Sequence, residues 1–209
     1  MTLALLGLAA APSAQAQTTR PVATQVIRPQ VEDTQPVDGE AGATDAPQAP
    51  AAEAAGPLPQ FDLSQLPEPV ARMRAAILRA AVTGDIEALR PVIESNELPP
   101  LFSYGEISDP IVFLKNASGD ADGYEILAVL TEILDAGYVR INPGTDQELY
   151  VWPWFAEWPL EALSPSQTVQ LLTLVTASDL ETMRQFGAYI FWRVGIGPDG
   201  TWHYFIAGD

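Results

Sequence analysis

The aromatic residues of segment 150–158 are the first candidates for chemistry in this sequence. The segment reads YVWPWFAEW, and in an extended chain Tyr150, Trp152 and Trp154 would project from one face. Aromatic rings on one face form a platform on which sugar rings or a peptide can stack. We therefore identify Tyr150, Trp152, Trp154 and Trp158 as candidate ligand-binding residues. The same side chains also suit a hydrophobic core, which the burial tendency of large aromatic residues favours.

A second pattern, at residues 118–123, resembles a calcium-binding loop. The stretch SGDADG places oxygen-bearing side chains at alternate positions before a glycine, as calcium loops do. However, the first ligand would be a serine, and the position that needs a bidentate glutamate is Val129. A helix cap accounts for the same residues, with Asp122 as the cap and Glu125 completing a capping box. We therefore predict a cap here and no metal site.

The sequence contains few residues suited to acid–base or nucleophilic catalysis. His203, the one histidine, lies between two aromatic residues of a predicted strand, and nearby Asp199 lies in a predicted turn. The chain has no cysteine, which excludes thiol catalysis and cysteine-ligated metals. It has no G-x-S-x-G motif, and the G-x-G-x-x-G pattern at 195–200 lies between two predicted strands rather than before a helix. The sequence therefore predicts no catalytic residue and no cofactor.

The elements that must position these residues are predicted by periodicity and turn signals. Apolar residues at helical spacing predict helices over 70–82 and 86–95, which form a helical hairpin around Gly84 and Asp85. The run IVFL at 111–114 predicts a short buried strand. A helix over 124–136 ends at Gly137, and strands follow at 138–141 and 148–152.

The C-terminal third carries clear capping and turn signals. Ser164, with Pro165 and Gln167, begins a predicted helix that runs to about residue 176. The stretch SDLE at 178–181 predicts a second capping box for a short helix ending near Gly187. Residues 188–196 and 201–206 form a predicted hairpin. The predicted fold class is α+β, with an N-terminal helical hairpin and further helices packed on a small antiparallel sheet that ends in a C-terminal β-hairpin.

Composition divides the chain into three parts. Residues 1–16 contain a short apolar run and the small-x-small site AQA, which predict a signal peptide too short to span a bilayer. Residues 17–60 are rich in Pro and Ala and predict a disordered acidic linker. Residues 61–209 hold every Trp, Tyr and Phe and predict a single globular domain. We expect a bacterial protein that is periplasmic or secreted, with no stable membrane insertion after signal cleavage.

Net charge narrows the range of partners. The chain has a formal net charge of −17, and residues 61–209 carry 21 acidic against 8 basic residues. Such a surface repels polyanions, so nucleic acid is excluded as a partner and anionic membrane surfaces are unfavourable.

Two segments resemble a known superfamily. The stretch AAVTGDIEALRPVI at 80–93 and the closing hairpin, with DGTW at 199–202 and IAGD at 206–209, are similar to the nuclear-transport-factor-like superfamily of cone-shaped α+β domains. That superfamily includes polyketide-cyclase-type enzymes. The resemblance implies a cone-like α+β fold and assigns no activity to numbered positions.

These observations leave two functions open. The first is a non-catalytic module that binds an envelope component, either a protein or a cell-wall glycan, at the end of the linker. The alternative is a small-molecule-binding or enzymatic pocket in a cone-like fold. That pocket would be a deep cavity lined by aromatic residues such as Tyr189, Trp192 or Trp202, with a buried carboxylate.

Overall fold

The computed structural model describes residues 56–208, which contain six α-helices, four short 3-10 helices and four β-strands. The helices are Glu68–Ala81 (α1), Arg90–Glu94 (α2), Pro110–Ala117 (α3), Tyr124–Asp135 (α4), Pro165–Leu171 (α5) and Ala177–Phe186 (α6). The strands are Val139–Ile141 (β1), Leu149–Trp152 (β2), Arg193–Ile196 (β3) and Trp202–Ile206 (β4). The predicted signal peptide and residues 17–55 of the predicted linker lie outside the described residues. Within residues 56–208, no helix has the length and apolarity needed to cross a membrane.

The four strands form one antiparallel sheet in the order β1-β2-β3-β4. The predicted antiparallel sheet and C-terminal hairpin are therefore confirmed. The prediction that strand β3 begins near residue 188 is wrong, because pairing starts only at Arg193. The hydroxyl of buried Tyr189 donates a hydrogen bond to the Trp192 carbonyl at 3.0 Å, so this segment folds back on itself instead of joining the sheet.

Side chains along each strand point alternately to the two faces of the sheet, so the interior is divided into two cores. One face carries Tyr150, Trp152 and Phe205, which pack beneath α1, α3 and α4 and form the first core. The other face carries Val139 and Val151, which pack against α5, α6 and the 3-10 helix Trp154–Glu157 and form the second core. Helical segments thus cover both faces of the sheet, and the predicted α+β class is confirmed.

The predicted N-terminal helical hairpin is also confirmed. Helix α1 ends before Gly84, whose φ of 73° lies in the left-handed region that glycine tolerates. Asp85 then accepts a hydrogen bond from the Glu87 N–H at 3.0 Å. The second arm starts as the 3-10 helix Ile86–Leu89 and continues as α2. Ile86 and Leu89 are buried against α1, which explains the apolar spacing of this arm.

Arg74 of α1 ties this hairpin to α4. Its guanidinium donates two hydrogen bonds, at 3.0 and 2.8 Å, to the carbonyl of Leu134. Carbonyl groups in the last turn of a helix have no partner within the helix, so this contact satisfies one of them. Helix α1 therefore caps the C-terminal end of α4.

The strand predicted over 111–114 is wrong, because these residues lie in α3. Asp109 accepts hydrogen bonds from the N–H groups of Ile111 and Val112 at 2.8 and 2.9 Å, and Pro110 occupies the first helical position. Only Ile111 and Leu114 of the four apolar residues are buried, which is a helical spacing. Pro110, which disfavours a strand, marks the start of helix α3.

Two boundaries near α5 and α6 differ from their predictions. The capping box of Ser164 and Gln167 is confirmed, but α5 ends at Leu171 rather than near residue 176. The second capping box is formed by Thr176 and Asp179, not by residues 178–181. Thr176 adopts the extended cap conformation two residues earlier than predicted, which leaves α5 less room. The predicted end of α6 near Gly187 is confirmed, and Gly187 adopts the left-handed conformation.

Candidate functional site

The candidate ligand-binding aromatic residues lie mainly inside the two cores. Tyr150 and Trp152 are buried in the first core, Trp154 is buried in the second, and Trp158 is half-buried beside it. Trp154 does not share the face of Tyr150 and Trp152, because the chain leaves the strand after Trp152 and enters a 3-10 helix. The Trp154 ring packs against Phe155, with ring centroids 4.0 Å apart. These rings contribute packing on both sides of the sheet and do not present a common stacking surface.

The indole N–H groups of this cluster are unusual. The Nε1 atoms of Trp152, Trp154 and Trp158 are buried and have no hydrogen-bond partner among the described residues. By contrast, Nε1 of Trp202, which is equally buried, donates to the Tyr204 carbonyl at 2.9 Å. Burying an unpartnered donor costs free energy, so these three tryptophans contribute less stability than their size suggests.

The prediction that Asp122 caps α4 and that Glu125 completes a capping box is wrong, because Gly123 occupies the N-cap position and the capping side chain comes from Asp120. Asp120, not Asp122, accepts hydrogen bonds from the N–H groups of residues 122, 123, 124 and 125 at 2.7–3.0 Å and from the Ser118 hydroxyl at 2.7 Å. These donors hold the pKa of Asp120 well below its ordinary value. Both carboxylate oxygens of Asp120 therefore accept hydrogen bonds at the start of α4. Within residues 56–208, no cluster of three or more His, Cys, Asp or Glu side chains is arranged to hold a metal ion.

His203 and Asp199 lie close together over Gly197 at the hairpin turn, but no hydrogen bond joins them among the described residues. His203 is exposed on β4, whereas the Asp199 carboxylate accepts hydrogen bonds from the backbone N–H and hydroxyl of Thr201, both at 2.9 Å. The Thr201 N–H is the main cause that lowers the pKa of Asp199, and His203 contributes least. Asp199 therefore acts in the turn, as its sequence context indicates.

The three aromatic residues expected to line a deep cavity lie on different sides of the sheet. Trp202 is fully buried in the first core, edge-on to Phe102 at 5.6 Å, and Trp192 packs against the same core. Tyr189 lies in the second core. One cavity within the described residues cannot be lined by all three.

A small cleft at the β4 edge is lined by two partly buried charged side chains, Glu157 and Arg193, that do not pair with each other. We call it the edge cleft, and five side chains define it: Leu101, Tyr104, Glu157, Arg193 and Tyr204. Its volume is about 330 Å³. The edge cleft opens on the face of the sheet that carries the second core, next to the loop that precedes α3.

Larger clefts exist, but each of their charged groups is either paired or exposed to solvent. A cleft of about 700 Å³ lies between α1 and the hairpin turn, where Glu68 pairs with Arg72 and Asp199 is bonded to Thr201. A cleft of about 580 Å³ is lined mainly by apolar residues of the 97–110 segment and by Trp202. We therefore take the edge cleft as the candidate functional site, because its charged groups, Glu157 and Arg193, are partly buried and do not pair with each other.

Glu157 is positioned by the aromatic segment in which it lies. It is the last residue of the 3-10 helix Trp154–Glu157, which is anchored by the buried rings of Trp154 and Phe155, each 1% exposed. The carbonyl of Glu157 contacts Gly56 so closely that a Cβ atom there would overlap it. The rings and Gly56 thus fix the backbone on both sides, and the Glu157 side chain lies near Arg193 and Tyr204 in the edge cleft.

Arg193 and Tyr204 are positioned by the hairpin. Arg193 begins β3, and Tyr204 lies opposite Gly195 in the β3–β4 register. The Tyr204 ring covers Gly195, where a Cβ atom would overlap the ring carbons. Gly195 is therefore needed for this ring to lie against the sheet and form one wall of the edge cleft.

The outer wall comes from the loop between α2 and α3. Leu101 forms a one-residue bridge to the edge of β4, donating to the His203 carbonyl at 2.8 Å and accepting from the Phe205 N–H at 3.0 Å. Tyr104, three residues later, is 67% exposed at the mouth of the cleft. This bridge also satisfies backbone groups on an edge strand that would otherwise be open to pairing.

The electrostatics of the edge cleft are dominated by partly buried, unpaired groups. Burial raises the pKa of the Glu157 carboxyl, and Arg193 opposes that rise without reversing it. Among the described residues no ion pair joins the two, and Glu157 has no side-chain hydrogen bond. Arg193 makes one long hydrogen bond, from Nη1 to the Tyr189 carbonyl at 3.4 Å. Both charged groups can therefore form hydrogen bonds with a ligand.

Tyr204 and Tyr189 are neutral groups at ordinary pH. Burial raises the pKa of Tyr204, and the nearby Glu157 carboxylate raises it further. Burial also raises the pKa of Tyr189, which forms part of the cleft floor. The hydroxyl of Tyr204 has no hydrogen-bond partner within residues 56–208 and can donate to a ligand.

Sequence reasoning did not identify this cleft. Glu157 lies inside the segment that drew attention for its aromatic rings, and it is the one charged residue in it. That contrast is a usable signal, because a charged residue among residues that form a core must reach an opening or a partner. Arg193 and Tyr204 carry no comparable local signal, since their proximity to Glu157 depends on strand pairing.

No protein-family model matches this chain, and comparison with curated proteins and with solved structures gives no significant match.

Proposed function

We propose that this chain is an exported, non-catalytic binding module whose partner is an envelope component, a protein or a cell-wall glycan, and that the edge cleft is the contact site. The observation that carries the proposal is that Glu157 and Arg193 line one cleft without pairing with each other. A partly buried carboxylate without a partner costs stability, which a purely structural role would not explain.

The location rests on the signal peptide predicted over residues 1–16 and on the acidic linker predicted over 17–60. A tether of this composition gives a domain reach from its point of attachment or release. The net negative charge of the domain supports partners that are not polyanions. Peptide and glycan components of an envelope meet this requirement.

The proposal is tested by sedimentation of the full chain with purified peptidoglycan and by affinity capture from an envelope fraction. We expect the chain to pellet with the cell-wall material or to retain an envelope protein, and Glu157→Gln and Arg193→Met to weaken that retention. Fractionation of cells that express the tagged chain tests export separately.

Matched controls come from exposed residues of the same type. Glu161→Gln changes a nearby carboxylate and Arg184→Met changes an exposed arginine on α6, and neither residue lines the cleft. These variants should behave like the parent chain. If the chain binds neither material, or if the control variants weaken binding as much as the cleft variants, the proposed function is wrong.

A further inference from the structure

The edge cleft presents one negative and one positive group that remain separate. Glu157 and Arg193 interact through space, yet no hydrogen bond or ion pair connects them in the described part of the chain. Two opposite charges that served only the fold would gain by pairing directly, particularly where burial weakens their hydration. Their separation leaves room for a ligand that contacts both.

A ligand that contacts both must carry complementary charges close together. An ammonium group satisfies a carboxylate, and a carboxylate satisfies a guanidinium, in the latter case through two parallel hydrogen bonds. An α-amino acid end carries both groups on one carbon atom. The hydroxyl of Tyr204, beside Glu157, supplies an additional donor for the ligand carboxylate.

The dimensions and walls of the cleft fit a small ligand of this kind. Its volume of about 330 Å³ is at the lower end of the range for small-molecule sites, about 300–1,000 Å³. Leu101 and Ile206 provide apolar walls, and exposed Tyr104 stands at the entrance. An aliphatic portion of a ligand can lie against these surfaces while its charged end faces Glu157 and Arg193.

We propose that the edge cleft binds a zwitterionic amino-carboxylate group, with Glu157 receiving the ammonium and Arg193 the carboxylate; this inference rests on the proposed binding function. The group has two sources in an envelope compartment. One is a free amino acid, and the other is the free amino-carboxylate end of a diamino acid in a cell-wall peptide.

Calorimetric titration of the full chain with leucine and two blocked analogues tests the proposal. N-acetyl-leucine lacks the ammonium and leucinamide lacks the carboxylate. Because a hydrogen-bonded charge contact is typically worth about tenfold or more in affinity, each analogue should bind at least about tenfold more weakly than leucine. A disaccharide–peptide fragment of peptidoglycan that ends in a diamino acid is titrated in parallel and distinguishes the two sources.

The variants assign each charge to its partner. Glu157→Gln should weaken leucine binding about tenfold and leave N-acetyl-leucine unaffected, whereas Arg193→Met should weaken leucine and leave leucinamide unaffected. Glu161→Gln and Arg184→Met are the matched controls. Circular dichroism checks that each variant is folded, and Arg193→Lys, which keeps the charge, should recover part of the lost affinity.

The pH profile provides an independent readout. Glu157 is faced by Arg193 of β3, by Tyr204 of β4 and by Tyr104 of the outer loop, and the raised pKa of Tyr204 keeps that side chain neutral through the acid range. Leucine affinity should therefore fall as the pH drops through the raised pKa of Glu157, and Glu157→Gln should abolish this dependence. Leucinamide should show the same fall and N-acetyl-leucine should not.

Two results would overturn the proposal. Equal binding of leucine and both analogues would show that the cleft does not recognise the two charges of the ligand. Absence of binding by both leucine and the peptidoglycan fragment would show that the cleft does not bind an amino-carboxylate group. If either result accompanies retained, cleft-dependent pelleting with peptidoglycan, the ligand class is wrong while the proposed function stands.

Discussion

Trp152 and Trp202 allow the cost of a buried, unpartnered indole N–H to be measured within one core. Both residues are 0% exposed and both belong to the first core. They differ in their Nε1 atoms, because that of Trp202 donates to the Tyr204 carbonyl at 2.9 Å and that of Trp152 has no partner among the described residues. The matched perturbations are Trp152→Phe and Trp202→Phe.

The expected difference follows from the hydrogen-bonding state of each indole. Both substitutions remove the same atoms from a packed site, so the costs of lost packing are similar. Trp202→Phe also removes a hydrogen bond worth about 0.5–1.5 kcal/mol, whereas Trp152→Phe removes an unsatisfied donor whose burial costs about 1–3 kcal/mol. Trp202→Phe should therefore lower the free energy of unfolding by about 1.5–4.5 kcal/mol more than Trp152→Phe.

Urea unfolding followed by circular dichroism measures both values without depending on tryptophan fluorescence, which each variant changes. The slopes of free energy against urea should remain equal, so that the midpoints compare stability alone. If the two variants are equally destabilised, or if Trp152→Phe is the less stable, the argument from the unpartnered N–H is refuted.

Three further predictions concern the wall of the edge cleft, the β1–β2 loop and the cap of α4. A methyl group at Gly195 overlaps the Tyr204 ring, so Gly195→Ala should destabilise the fold by about 1–3 kcal/mol in urea unfolding. The pKa of Glu148 is lowered from 4.5 to about 2, chiefly by its hydrogen bond with Arg140. Its contribution to stability is therefore complete above pH 4.5 and is lost as the pH falls toward 2. Glu148→Gln should lower the Tm at neutral pH, and this effect should shrink as the pH falls through about 2. Asp120→Asn should lower the Tm, because it weakens the acceptor for the first N–H groups of α4.

Each of these predictions has a control within the chain. Gly105→Ala places its Cβ no closer than 3.6 Å to another atom and should change stability by less than about 0.5 kcal/mol. Asp122→Asn should leave the Tm unchanged, and an effect as large as that of Asp120→Asn would contradict the assignment of the cap. A Glu148→Gln effect that persists unchanged to pH 2 would show that charge is not its cause.

Local signals account for the elements that the sequence predicted correctly. The hairpin of α1 and the Ile86 arm, helix α4, strands β1 and β2, and the capping box at Ser164 were all predictable. In each case the information lies in apolar periodicity and in a cap or turn within a few residues. Such interactions join residues that are close in sequence, so they can be recognised without knowing the rest of the fold.

Helix α3 shows where local signals are ambiguous. Four consecutive apolar residues fit a buried strand or one turn of a helix equally well, and Pro110 can block a strand or start a helix. The cap by Asp109 and the packing of Ile111 and Leu114 in the first core decide in favour of the helix. Similarly, Asp120 and Asp122 are both plausible caps, and only backbone geometry selects between them.

The sequence by itself determined the α+β class, most element positions and the acidic character of the chain, because these depend on composition and short-range pattern. Only the tertiary structure decided what the aromatic segment does. It places Trp152 and Trp154 in different cores and directs Glu157 to a cleft beside Arg193 and Tyr204. The three residues of the cleft come from separate elements, and strand pairing, not sequence proximity, determines their distances. A site built in this way has no local sequence signature, since the interactions that assemble it form only when the sheet and both cores are in place.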